Sequence, residues 1–193
     1  MNANDPDQQG LCLASAIYFE AAHEPRAGQE AVARVVLNRT HDPAYPATIC
    51  GVVWQGHERA TGCQFSFTCD GSLARAPEPR SWARVVALAR NVLDNAVSAT
   101  APLSTGPLAR ALHYHADYVR PRWRVSMTEV ARIGRHIFYA PPGTAPDHPQ
   151  PQRTVALVSE ARDGGPPLVW GLRVEKIAAD AEEGRRSIAG MTR

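Results

Sequence analysis

Residues Leu11 to Arg39 read LCLASAIYFEAAHEPRAGQEAVARVVLNR, and the way this stretch folds places everything around it. Leu13, Ile17, Glu20 and Glu24 recur at helical spacing, with Cys12, Ala16, Phe19 and His23 on the neighbouring face. Pro25 lacks a backbone donor and disfavours helical geometry in the residue before it, so the first helix is predicted to stop near His23. A second helix is predicted from Gly28 or Gln29, with Val32, Val35, Val36 and Arg39 on one stripe and Ala31 and Ala33 allowing close approach. Glu20 thus sits in the last turn of an apolar helix.

Outward from this pair the chain is read in short pieces. Residues 1 to 10 read as a disordered lead-in. His41 to Pro46 is a turn-rich break, and TICGVVW (Thr48 to Trp54) is apolar without a decisive period. Gln55 to Leu73 is a long loop punctuated by Gly and Cys, a composition expected of a functional segment. Ser81 is the predicted N-cap of a third helix running to about Ala96, with Trp82, Val85, Val86, Ala89, Val92 and Leu93 on its apolar face. Thr128 to Ile133 is expected to be a short helix closed by Gly134, followed by a strand-like His136 to Tyr139. PPGTAPDHPQPQ marks residues 141–153 as a Pro-rich linker. Beyond it, residues 154–193 form a tail with a candidate β-hairpin across Asp163-Gly164-Gly165.

Composition narrows the class. A chain of 193 residues suffices for one domain with a real core. A formal net charge of +2 with scattered arginines argues against nucleic acid as a partner. No apolar run approaches a membrane span, and MNANDPDQQG lacks the regions of a signal peptide. The four cysteines, Cys12, Cys50, Cys63 and Cys69, fit two disulfides in any of three pairings, or small buried apolar residues. No Cys pair has zinc spacing.

Most helical glutamates are solvated surface residues, and three features set Glu20 apart. Its neighbours Ile17, Tyr18, Phe19 and Ala21 are apolar, it faces the negative end of its helix dipole, and Glu24 lies one turn on. All three favour the protonated form, as a general acid requires. Glu20 and His23 also spell E-x-x-H, but no second copy exists to complete a di-metal site. A metal-dependent hydrolase using His23, His113 and His115 is a competing reading; isolated H-x-H pairs more often serve as hydrogen-bonding groups. Gln64, Phe65, Ser66, Trp54, Tyr114, His115, Tyr118 and Trp123 offer the aromatic faces and polar groups of a sugar groove, or ordinary core packing.

Taken in order, YFEAAHEP, GQEAVARVVLNR, YPATICGVVW, CQFSFTCDG, HYHADYVRPRW and ARIGRHIFY resemble the cell wall hydrolase family typified by the spore-cortex-lytic enzyme SleB, over Leu11 to Tyr139. The usual E-A-R-G-E-P is here Glu20-Ala21-Ala22-His23-Glu24-Pro25. The resemblance implies a mainly α (α+β) fold, lysozyme-like and related to lytic transglycosylases, over residues 11–140. It implies that Glu20 is the catalytic glutamate, that Glu24 occupies the family's second acidic position, and that Gln64, Phe65, Ser66, Tyr114 and His115 face the cleft. The implied partner is the glycan strand of peptidoglycan, with no cofactor and no metal. A single-glutamate lytic transglycosylase is expected, with a muramidase-type hydrolase or an inactive peptidoglycan-binding module as alternatives. Glu58, Asp70 and Asp117 are the candidate second acids. Such a substrate implies a periplasmic or secreted protein whose export signal is not in this sequence, and it favours disulfides, Cys63 and Cys69 being close enough to bridge if the loop between them turns.

Overall fold

The computed structural model describes residues 5–97 and 106–143. In chain order these are α1 (Pro6–Ala21), α2 (Arg26–His41), α3 (Ile49–Val53), two 3₁₀ turns at Ser66–Thr68 and Ser72–Ala74, α4 (Pro79–Val97), β1 (His113–Ala116), a 3₁₀ turn at Arg122–Ser126, β2 (Thr128–Ile133) and β3 (His136–Ala140). The expected mainly α fold with a minor β part is therefore present. The linker beyond residue 143 and the hairpin expected at 154–174 lie outside the described residues.

The first helix is the hub. Cys12, Leu13, Ala14, Ser15, Ala16 and Ile17 are all buried, so α1 hides its whole circumference there rather than one stripe. It is enclosed by α2, α3 and α4. Its one buried hydroxyl, Ser15 Oγ, donates to the Leu11 carbonyl at 2.9 Å, which removes the cost of an unpaired polar group. The helix also starts earlier than expected: Pro6 to Gly10 belong to it and are not a disordered lead-in. Asp5 accepts the Asp7 N–H at 3.0 Å as N-cap, and Pro6 fits the first turn. This added turn carries Gln9, whose side-chain oxygen accepts the Cys50 N–H at 3.0 Å, alongside the Cys12–Cys50 disulfide that ties α1 to α3.

The second core lies between α2 and the sheet, where Ala31 and Val35 meet Ala111 and Phe138. The sheet order is β1-β3-β2, antiparallel throughout, with Tyr114 opposite Phe138 and Ile133 opposite His136. β2 corrects the expected helix at Thr128 to Ile133. Its partner strand follows after only Gly134 and Arg135, so a hairpin satisfies the backbone that a single isolated helical turn would leave open. Ser81 is likewise not the N-cap of α4. Glu78 holds that place, its carboxylate accepting the N–H groups of Arg80 at 2.9 Å and Ser81 at 2.7 Å.

Two long-range locks hang the sheet on the helices. Asn38 on α2 donates to the carbonyls of Leu108 and Ala111 at 2.9 and 2.8 Å, and Arg39 Nε donates to the Leu112 carbonyl at 2.8 Å. At the far end Glu24 Oε2, in the α1–α2 turn, accepts the Arg135 N–H at 2.9 Å. Gly134 makes this approach feasible: its φ is +57°, and a Cβ there would collide with Glu24 Oε2 and crowd Pro25.

Replacing Gly134 with Ala is expected to cost about 3 kcal/mol from the positive φ and the collision together. The Gly134→Ala/Glu24→Ala double variant should lose less than the sum of its singles in urea unfolding; strict additivity would show that the two groups do not meet. Removing Cys12–Cys50 by paired Ala substitution should cost about 4 kcal/mol, against about 2 kcal/mol for the shorter Cys63–Cys69 loop. Urea midpoints under non-reducing conditions check this order, and the reverse order would contradict the pairing.

Candidate active site

Three consecutive residues at the end of α1 reach three different neighbours, because each step along a helix turns by about 100°. Tyr18 meets the edge of Trp82 at 5.8 Å between ring centroids, and its hydroxyl oxygen accepts the Glu78 N–H at 2.9 Å. Phe19 stacks on Phe67 of the first 3₁₀ turn, with centroids 4.4 Å apart. Glu20 faces β1, where the Tyr114 hydroxyl donates to Oε2 at 3.1 Å. Glu20 thus follows two residues fixed by packing.

Its surroundings favour the protonated acid. Burial is the largest influence and raises the Glu20 pKa above the ordinary glutamate value. The Tyr114 hydrogen bond and the positive charge of Arg39 pull it back, and the negative charge of Asp70 pushes it up again. Asp70, not Glu24, is therefore the like charge that acts on Glu20; the Glu24 carboxylate is spent on the Arg135 amide. Tyr114 is itself held well above the usual phenol pKa, by burial first and the Glu20 charge second, so it remains a proton donor in the hydrogen bond.

Arg39 was legible only as part of a helical stripe, yet it is a central component. It is buried at 3% exposure and lies over the rings of Tyr45 and Phe65 at 5.3 and 5.7 Å. Burial lowers its pKa from the ordinary guanidinium value, and Tyr114, Tyr45 and Glu20 oppose that shift. The signal available in the sequence was its place in line with Val32, Val35 and Val36, a helix face where a charge has no reason to be unless something meets it.

The other predicted site residues divide. Ser66 is exposed and Gln64 half-buried on the loop closed by the Cys63–Cys69 disulfide. Phe65 is buried beneath Arg39 and offers no free ring face. His115 is also buried, sharing Nε2 with the Tyr139 hydroxyl at 3.0 Å and Nδ1 with the Ala116 carbonyl at 2.8 Å. Both support the site from behind and do not line it. His23 is exposed, and no three potential metal ligands converge among the described residues. The unusual Ala22-His23 turn is kept in shape by Gln29, whose amide donates to the carbonyls of Ala22 and Glu24, each at 3.3 Å.

Of the candidate second acids, Asp117 is paired with Arg135 at 3.3 Å, and Glu58 is exposed 3.9 Å from His57. Asp70 differs. It accepts the Ser72 N–H at 2.8 Å, and the hydrogen bonds from Ser72 lower its pKa, whereas that of Glu20 is raised. One protonatable and one ionised carboxyl in mutual range are the elements from which acid–base chemistry on a glycosidic bond is built.

Comparison with known proteins supplies the kinship. Residues 23–139 match the model of the Cell Wall Hydrolase family. The match begins just past Glu20, whose assignment therefore rests on its own geometry. Spore cortex-lytic enzymes of Halalkalibacterium halodurans and Bacillus subtilis are 32% and 31% identical over 126 and 127 residues, 65% of this chain in both cases. The aligned part spans about a third of those relatives, 33% and 35% of their lengths. The catalytic domain of the Bacillus cereus SleB protein is 28% identical, covers 72% of this chain and 98% of its own, and superposes with a TM-score of 0.47. That of the Bacillus anthracis germination-specific lytic transglycosylase SleB is 29% identical at 68% and 94% coverage, with a TM-score of 0.48. With its matched stretch running from just past the Glu20 helix to Tyr139 in β3, this chain belongs to the cell wall hydrolase family.

Proposed function

We propose that the protein cleaves the β-1,4 bond between N-acetylmuramic acid and N-acetylglucosamine in peptidoglycan by a lytic transglycosylase mechanism, with Glu20 as acid and then base. The observation that carries this reading is the Glu20 carboxyl itself: part-buried, raised in pKa, and held by a tyrosine that cannot take its proton. Protonated Glu20 donates to the glycosidic oxygen as an oxocarbenium-like state develops at the muramic acid C1. The N-acetylglucosamine leaves as an alcohol. Glu20, now a carboxylate stabilised by Tyr114 and Arg39, takes the proton of the C6 hydroxyl as that oxygen bonds to C1, closing a 1,6-anhydro ring. Gln64 and Ser66, on the same disulfide-closed loop, would supply polar contacts to the sugar. Two disulfides suit an oxidising compartment, which supports a periplasmic or secreted location.

A second reading, hydrolysis, is favoured by Asp70. An ionised carboxylate whose charge reaches Glu20 is a candidate for activating water or stabilising the cation. Mass analysis of the digestion products separates the two, since anhydro ends are one water lighter than reducing ends. Reducing ends throughout would remove the transglycosylase reading.

Glu20→Gln is expected to reduce glycan cleavage by roughly a thousandfold. It should also raise the melting temperature at neutral pH. A carboxyl whose folded pKa lies above its unfolded value penalises the fold once pH exceeds the unfolded value, and the penalty disappears on acidification below it. A variant that digests peptidoglycan at the parent rate would identify a binding module or a different catalyst. Tyr114→Phe removes an influence that lowers the Glu20 pKa, so the alkaline limb of the pH–rate profile should move upward, with kcat reduced roughly tenfold from poorer positioning. A limb that stays in place would mean that Tyr114 does not act on the catalytic acid.

A further inference from the structure

Large apolar side chains that stand exposed among the described residues fall on a single loop, between β1 and β2: Tyr118 at 72%, Val119 at 41% and Val125 at 82%. Between them come Arg120, Arg122 and Arg124, none of which makes an ion pair among the described residues. Their neighbours Arg132 and Arg135 are instead matched with Glu129 and Asp117. From Asp117 to Arg135 five arginines face two carboxylates, a local excess in a chain whose net charge is only +2.

The loop is held in shape without a ligand. Trp123 anchors it with ring centroids 5.3 Å from His113, 5.7 Å from His115 and 5.5 Å from Tyr139. Val119, Arg124 and Met127 donate backbone bonds within the turn, and Ser126 Oγ donates to the Trp123 carbonyl at 2.8 Å. The ordering cost of presenting these side chains is thereby already met. Trp123 packs on the face of the sheet that carries His113 and His115; Tyr114 and Phe138 point to the opposite face. The loop is therefore on the far side of β1 from the Glu20 contact.

We propose that the Tyr118–Val125 loop docks on an anionic phospholipid surface. A soluble polyanion or an acidic peptide would neutralise the arginines and leave Val119 and Val125 in water. A bilayer interface takes both: guanidinium groups bind headgroup phosphates, valines enter the acyl boundary, and Tyr118 sits at interfacial depth. Such docking would hold a wall-cutting enzyme at the membrane side of its substrate, through a face separate from the proposed catalytic one.

The test is co-sedimentation of the full chain with vesicles of phosphatidylglycerol and phosphatidylcholine, against phosphatidylcholine alone. Binding to the anionic vesicles only, weakening with salt, is expected. Arg120→Ala/Arg122→Ala/Arg124→Ala should weaken it roughly a hundredfold, and Val119→Ser/Val125→Ser roughly tenfold. Both variants should keep the parental melting curve and the parental cleavage of solubilised glycan fragments. Four results would overturn the proposal. These are no vesicle binding by the parent, unchanged binding by the arginine variant, a serine variant that binds normally while soluble dextran sulfate displaces the parent from vesicles, and impaired cleavage of soluble fragments, which would assign the loop to the substrate. Absence of cleavage by the parent itself would refute the proposed function and leave the docking result to stand or fall separately.

Discussion

The last turn of α2 carries two polar side chains, Asn38 and Arg39, buried against carbonyls 70 and 73 residues away. Those carbonyls belong to the strand approach 108–112, where the Leu108 carbonyl also accepts the Ala111 N–H. Unmade, the two buried bonds, to Ala111 and Leu112, would each leave a buried acceptor at a cost of about 1–3 kcal/mol. Made, they fix the start of β1 against the helical body. Tyr114 follows two residues after Leu112, so the reach of one arginine sets where the phenol meets Glu20. The same guanidinium also sets part of the local field.

That dual use explains the balance at Glu20. Burial alone favours the neutral carboxyl, which would hinder the base half of the proposed acid–base cycle. Arg39 and the Tyr114 hydroxyl lower the cost of the anion, and Asp70 raises it. In the proposed reaction this balance would let the acid give up its proton to a leaving group and take another back. Arg39 can bear its own burial because Nε has the Leu112 carbonyl and the cation lies over two aromatic rings. Stability and chemistry therefore draw on the same side chain, and a loss there would damage both.

Much of the helical frame was legible because it is governed by local rules. Pro25 stops α1 and Val32, Val35 and Val36 define α2 without reference to anything distant. The exceptions have physical causes. The start of α1 was hidden because Asp5-Pro6 is a capping signal in a polar segment with no apolar periodicity behind it. β2 was misread because TEVARI is too short for its period to decide, and a glycine with positive φ closes a helix or opens a hairpin equally well. Its identity as a strand comes from pairing with β3, a tertiary fact. Of the site, Glu20 was legible from its apolar neighbours. Asn38, Arg39 and Gln29 were not, because what distinguishes them is the partner each meets across the fold.

Glu20 and Glu24 show how far residue type is from role. They sit one helical turn apart, and the sequence offers no intrinsic difference between them beyond position. Glu20 lies inside the last turn of α1, where its carboxylate faces side chains only: a phenol, a guanidinium and a second acid. Glu24 lies past the helix end, where the chain has already turned, and its carboxylate meets a backbone N–H across a glycine that leaves it room. A carboxylate bound by a backbone amide and packed against a tight turn is committed to holding the hairpin. A carboxyl bound by a single hydroxyl in a dry setting retains a choice of protonation state. Pro25, by ending the helix between the two environments, divides a structural acid from a chemical one.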